Sequence, residues 1–102
     1  NSMILQDDQI YSFKLNSGEE LVAKIISTDG DYYIIGDPVS VGPSPGGGLG
    51  LVPSMFTYEQ HSSIRLTSAS IALVANTDES IKTKYIEATT GLKIPDKKVI
   101  LG

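Results

Sequence analysis

Residues 11–36 read YSFKLNSGEELVAKIISTDGDYYIIG, and this stretch predicts a β-rich fold. Tyr11 to Leu15 alternates apolar and polar side chains without a break, which is the period of a half-buried strand. The run from Glu20 to Thr28 carries apolar side chains on both faces, as expected for a strand that is covered on both sides. Asp29-Gly30 precedes the β-prone run Tyr32 to Ile35 and predicts a tight hairpin turn with Gly30 at positive φ. The stretch therefore predicts three strands, the last two joined as a hairpin.

The second half of the chain predicts shorter strands separated by loops. Gly42 to Gly50 contains two Pro and five Gly, which indicates a loop or hairpin tip. A fourth strand is predicted from Leu51 to Glu59, and short strand pieces are predicted at Ile64 to Leu66 and at Ile71 to Ala75. Val99 to Leu101 is apolar enough to form one more short strand in the tail. The predicted order is five short strands, one helix and a tail.

One segment has helical periodicity. Asn76 is a good N-cap with Glu79 three residues later, a pairing typical of a helix start. Ile81 and Tyr85 then recur on one face of a helix. Gly91 stands where a helix commonly ends in a left-handed residue. A short helix near the C-terminus is therefore predicted.

The composition is that of one small globular domain covering residues 1–102. The net charge of −4 and the presence of a single Arg, Arg65, argue against a nonspecific nucleic-acid binder, because phosphate binding uses clustered Lys and Arg. The chain has no Cys, which excludes disulfides and Cys-based metal sites. Its apolar runs are far shorter than the roughly 20 residues of a membrane-spanning helix, and no signal-peptide pattern is present. We therefore expect a cytoplasmic protein with no membrane partner.

The residues that carry chemistry form no catalytic constellation. His61 is the only His, so no second His or Cys is there to share a metal ion with it. Three carboxylates surround the predicted hairpin, those of Asp29, Asp31 and Asp37. The cluster is compatible with a metal site or an acid–base pair, and the favoured interpretation is that these side chains cap turns. The Gly-rich loop lacks the Lys-Ser/Thr of a P-loop, and no motif places a nucleophile beside a base. We expect no catalytic residue, no metal and no cofactor, and therefore no enzyme.

The run from Phe13 to Gly36 resembles the first conserved segment of the Sm/LSm family. Gly18 falls on the first Gly of that segment, Ala23 stands at the second, and Asp29 falls on its Asp. The resemblance implies a mainly β fold, a small five-stranded and strongly bent barrel, in which a small residue at position 23 lets one strand serve both halves. Family barrels usually begin with a helix, whereas the helix predicted here is C-terminal. The overall pattern is similar to that of short Sm-like proteins carried by phages.

The positions that bind RNA in the Sm/LSm family hold different residues in this chain. Tyr33 replaces the family's Asn, Asp31 replaces an aromatic residue, and Arg65 is the nearest equivalent of an Arg-Gly pair. By position, the resemblance implies that Asp29, Tyr32, Tyr33 and Arg65 bind RNA, with Tyr33 stacking on a base. Tyr32 and Tyr33 are neighbours on a strand and point to opposite faces, so one of them is expected in the core.

Two functions follow from this reading. The family resemblance implies a homo-oligomeric ring of about five to seven subunits that binds single-stranded RNA. The net charge of −4 favours a different ring, one that binds protein or serves as a scaffold and has lost RNA binding.

Overall fold

The computed structural model describes residues 5–91, which form a six-stranded antiparallel sheet and one α helix. The predictions of a mainly β fold and of one helix near the C-terminus are confirmed. The expected last strand, Val99 to Leu101, lies outside the described residues. The elements are β1 Ile10–Leu15, β2 Glu20–Asp29, β3 Tyr32–Pro43, β4 Leu49–Pro53, β5 Ile64–Thr67, a 3₁₀ turn Ser68–Ser70, β6 Ile71–Asn76 and α1 Glu79–Thr90.

The strands lie in the order β4-β3-β2-β1-β6, and β5 also pairs with β3. Strand β3 is long enough to serve two partners on one side, because its first half pairs with β5 and its second half pairs with β4. Within residues 5–91 the sheet does not close, so β4 and β6 lie at its two ends.

The structure has six strands where five were expected. The predicted fourth strand ends early, at Pro53, because proline has no N–H to donate to a ladder. The two short pieces that follow are separate strands on opposite sides of the sheet, since β5 pairs with β3 and β6 pairs with β1.

Strand β2 is irregular because its pairing with β3 shifts register twice, between Val22 and Lys24 and between Ile25 and Ser27. Shifts of this kind bend a strand and increase its twist. Ala23 lies at the first shift and is fully buried. Its small side chain suits a strand that is irregular at this point and packed on both sides.

Two apolar clusters form the core, and successive residues of β2 contribute to different clusters because they point to opposite faces of the sheet. Helix α1 supplies Tyr85 and Ile81 to the second cluster, which places the helix against the face of the sheet opposite the main cluster. The main cluster contains Leu5, Tyr11, Phe13, Leu21, Ala23, Ile25 and Ile35, and the second contains Val22, Val39 and Tyr85.

Helix α1 begins two residues later than its sequence pattern predicts. Asp78 is the N-cap, and its carboxylate accepts hydrogen bonds from the backbone N–H groups of Ser80 at 3.0 Å and Ile81 at 3.2 Å. The predicted N-cap, Asn76, is the last residue of β6 instead, where it pairs with Tyr11 of β1. The helix ends as predicted at Gly91, whose φ of 75° is left-handed.

The hydroxyl of Tyr85 links α1 to the sheet by hydrogen bonds at the first register shift between β2 and β3. It donates a hydrogen bond to the Gly36 carbonyl at 2.9 Å and accepts one from the Lys24 N–H at 3.2 Å. Burial, reinforced by the negative charge of Asp37, raises the pKa of Tyr85 well above its ordinary value. The phenol therefore stays neutral, and it occupies a place where β2 and β3 are out of regular register.

Candidate functional site

The β2–β3 hairpin positions most of the residues that were expected to bind RNA. Asp29 pairs with Tyr32, so the two turn residues are Gly30 and Asp31, one position later than predicted. Gly30 has a φ of 59°, which confirms the expected positive φ. Asp31 has no positive φ, an arrangement typical of a type II′ turn rather than of the type I′ turn that Asp-Gly suggested.

The two tyrosines of β3 are divided between core and surface. Tyr33 is half-buried and packs against the main cluster, opposite Leu66 of β5. Tyr32 points to the other face and is 40% exposed. The structure therefore places Tyr32, rather than the Tyr33 expected to stack on a base, where a ligand can reach an aromatic ring.

Arg65 lies on the same exposed face as Tyr32. It pairs with Ile34 in the β3–β5 ladder, and its guanidinium carbon is 5.8 Å from the centre of the Tyr32 ring. A cation at this distance from an aromatic ring is attracted by about 0.5–1 kcal/mol at an exposed site. We call Asp29, Tyr32 and Arg65 the hairpin patch.

The hairpin patch combines one flat aromatic ring with one cation that cannot lose its charge. Such a pair is suited to stacking on a base and to contacting a phosphate. Two exposed carboxylates, those of Asp29 and Asp31, stand at the same hairpin and oppose the approach of an anion. The patch can therefore hold a base more readily than it can hold a run of phosphates.

A second polar pair joins two residues that no sequence motif connects. The His61 ring Nδ1 lies 3.8 Å from the Asp37 carboxylate. Both residues have positive φ, 65° for His61 and 48° for Asp37, which is uncommon outside glycine. Within residues 5–91 no group of three His, Cys, Asp or Glu could hold a metal ion. The pair thus places the loop after β4 beside β3.

The two end strands carry exposed apolar side chains. Leu49 and Val52 lie on β4, and Met55 and Phe56 follow directly after it. On the opposite end of the sheet Leu73 of β6 is 67% exposed. Within the described residues neither strand has a partner on its outer side. The sequence analysis did not identify Leu73.

No protein-family model matches the chain, and no curated protein matches it. The relationship to the Sm/LSm family therefore stays a prediction from residues 13–36. In the described part of the chain, no helix is long and apolar enough to cross a membrane.

Proposed function

We propose that this chain assembles into an Sm-like homo-oligomeric ring of about five to seven subunits, and that the ring binds single-stranded RNA. The observation that carries the proposal is the pair of open sheet ends. Strands β4 and β6 each lack an outer partner within residues 5–91, and each carries exposed apolar side chains.

Open sheet ends favour assembly for two physical reasons. An unpaired edge exposes backbone N–H and C=O groups that readily pair with another chain. Two different edges on one subunit make a head-to-tail contact, and such contacts close into a ring when the rotation between neighbours allows it. Pairing β4 of one subunit with β6 of the next hides these two edges in every subunit, while β5, which pairs only with β3 within residues 5–91, keeps its outer edge.

The hairpin patch supplies the proposed contact with RNA. Stacking of a base on an aromatic ring contributes about 1–3 kcal/mol, and Tyr32 is the exposed ring of the hairpin. Arg65 lies over that ring and adds a positive charge for a phosphate or a base edge. A ring repeats this pair once per subunit, so that one weak contact becomes several.

The net charge of −4 favours a second candidate, a ring that binds protein or serves as a scaffold. The carboxylates of Asp29 and Asp31 at the same hairpin point in this direction as well. Both candidates share the ring and differ in the ligand.

Titration of a uridine-rich single strand at low salt separates the two candidates. We expect a dissociation constant tighter than about 10⁻⁴ M, which is the weak end of nonspecific nucleic-acid binding. Tyr32→Ala should weaken binding through lost stacking, and Arg65→Gln should flatten the salt dependence by about 0.7 per lost phosphate contact. Lys84→Gln removes an exposed charge from α1 as the matched control. Binding weaker than 10⁻⁴ M, or an equal loss in the Lys84 control, contradicts the RNA function.

A further inference from the structure

Asp37 lies in a β-bulge of strand β3, in a backbone conformation that favours glycine. Between two successive ladder pairs β3 has two residues, Asp37 and Pro38, where β2 has only Ala23, and this count defines a bulge. The φ of Asp37 is 48°, and a bulge that needs this left-handed region commonly has Gly there. Bulges are frequent beside active sites, where they redirect a side chain, and strained residues cluster at such sites. The bulge therefore directs attention to what the Asp37 side chain faces.

The side chain of Asp37 lines a cavity of about 200 Å³ where the bulge, the loop after β4 and the C-terminal half of α1 meet. Apolar walls include Val39 of β3 and Leu51 of β4, and polar walls include Tyr58 of the loop and Thr89 of α1. An apolar cavity with a few polar groups is the usual form of a small-molecule site. A cavity of about 150 Å³ can hold benzene, whereas drug-sized ligands occupy about 300–1,000 Å³. The volume therefore suits a ligand of about one ring.

The Asp37 carboxylate accepts no hydrogen bond in the described part of the chain, although its side chain is only 34% exposed. The His61 ring Nδ1, at 3.8 Å, lies beyond hydrogen-bonding distance. Two hydroxyls of α1 are engaged elsewhere, because Tyr85 donates to the Gly36 carbonyl and Thr89 donates to the Tyr85 carbonyl at 2.8 Å. A largely covered anion is stabilised by a partner that donates hydrogen bonds or carries positive charge. Such a partner has to come from the occupant of the cavity.

No Lys or Arg is among the described residues that line the cavity. We propose that the cavity binds a small organic cation, an ammonium or amidinium group on an apolar body of about one ring. The Asp37 carboxylate accepts hydrogen bonds from the cationic group, and charge-assisted bonds of this kind are strong. The Tyr58 ring and the apolar walls cover the body of the ligand. The site shares no residue with the hairpin patch and does not depend on the ring.

Benzylamine, a cation at neutral pH, is the probe, and benzyl alcohol, with the same ring and no charge, is the matched control ligand. Titration followed by backbone amide NMR signals should give saturable shifts at Asp37, Val39, His61 and Thr89. The expected dissociation constant is about 1 mM, ordinary for a ligand of this size. Benzyl alcohol should bind about 10-fold more weakly or worse, because it cannot form charge-assisted hydrogen bonds with the carboxylate.

Two variants of Asp37 test the carboxylate. Asp37→Asn should weaken benzylamine about 10- to 100-fold and leave benzyl alcohol unchanged, and Asn tolerates a positive φ as Asp does. Asp37→Gly suits the left-handed conformation, so it should melt at the same or a higher temperature in circular dichroism while losing the preference for benzylamine. Asp8→Asn is the matched control, because exposed Asp8 also has a positive φ, 67°, but does not line the cavity.

The outcomes decide between a ligand site and a strained turn. A preference for benzylamine in wild type and Asp8→Asn that is lost in both Asp37 variants supports the site. Equal binding of the two ligands, no saturable shift at ten times the expected dissociation constant, shifts confined to the β2–β3 hairpin, or unchanged affinity in the Asp37 variants overturns it. N-acetyl-lysine methylamide presents the same ammonium group on a protein side chain, and tighter binding of this probe than of benzylamine overturns the small-molecule ligand.

Discussion

Replacing Tyr85 by Phe should measure how strongly α1 is fastened to the sheet. The substitution removes one hydroxyl and keeps the ring that packs against Val22 and Val39. Two hydrogen bonds disappear, the one donated to Gly36 at 2.9 Å and the one accepted from Lys24 at 3.2 Å. Each bond contributes about 0.5–1.5 kcal/mol net, so the free energy of unfolding should fall by about 1–3 kcal/mol.

Thermal and urea unfolding at one fixed protein concentration give the readout, because self-association makes the midpoint depend on concentration. A loss of 2 kcal/mol lowers the melting temperature of a domain of this size by about 8–16 °C. Tyr11→Phe provides a graded control, because its hydroxyl accepts a single bond from the Gln6 N–H at 2.9 Å. Tyr32→Phe provides a neutral control at an exposed position.

The order of the three variants tests the reasoning. We expect the largest loss for Tyr85→Phe, a smaller one for Tyr11→Phe and almost none for Tyr32→Phe. If Tyr85→Phe unfolds at the same midpoint as Tyr32→Phe, the hydroxyl does not bridge β2 and β3 and the helix is held by apolar packing alone.

The raised pKa of Tyr85 adds an alkaline test to the same variant. A phenol that stays protonated in the folded chain but ionises in the unfolded chain makes the unfolded state bind fewer protons. Its contribution to stability is therefore complete below about pH 10, the ordinary pKa of Tyr, and is lost as the pH rises above it. Wild type should lose stability above pH 10 more steeply than Tyr85→Phe, and parallel curves would contradict this account.

Three further predictions concern the turn, the helix cap and the sheet end. Gly30→Val should lower the free energy of unfolding by about 1–3 kcal/mol through backbone strain alone, because an added Cβ meets no atom within 4 Å. Gly42→Val, equally uncrowded but without positive φ, should change it by less than about 0.5 kcal/mol, and equal losses would exclude strain at the turn. Asp78→Ala should lower the free energy of unfolding at pH 7, and this loss relative to wild type should shrink below about pH 4, because hydrogen bonds from the Ser80 side chain and the Ile81 N–H lower the pKa of the Asp78 carboxylate. A loss of stability that does not depend on pH would contradict the role of Asp78 as the cap. Val52→Lys should reduce the oligomer mass in light scattering, since charged side chains block pairing at an edge strand, and an unchanged mass would show that β4 is not the contact.

Local patterns predicted the first two strands and the start of the third, but the prediction that Pro38 ends or edges the third strand was wrong, because β3 runs through Pro38 to Pro43 with partners on both sides. The alternation of Tyr11 to Leu15 and the turn chemistry around Gly30 each involve neighbours in sequence. The turn itself was placed one residue too early, because Asp29 is drawn into the ladder by its pairing with Tyr32. The predicted helix cap Asn76 is a strand residue for a similar reason: its pairing with β1 does not follow from the residues around it in sequence.

The candidate site depended on contacts between distant parts of the chain. Alternation shows that Tyr32 and Tyr33 point apart, but only the ladder with β5 decides that Tyr33 faces Leu66 and the core. The approach of His61 to Asp37 also follows from how the loop after β4 returns to the sheet. No pattern of neighbouring residues carries that information.

The native mass of the full chain in solution tests the central claim most directly. One chain has a mass of 10.9 kDa, and the proposed ring has about five to seven copies, so light scattering at micromolar concentration should give about 55–76 kDa. The mass should fall when Val52→Lys closes the β4 edge to pairing and should stay the same for Ile86→Lys on the helix. A wild-type mass of 10.9 kDa at that concentration would contradict the ring, and with it the function built on repeated hairpin patches.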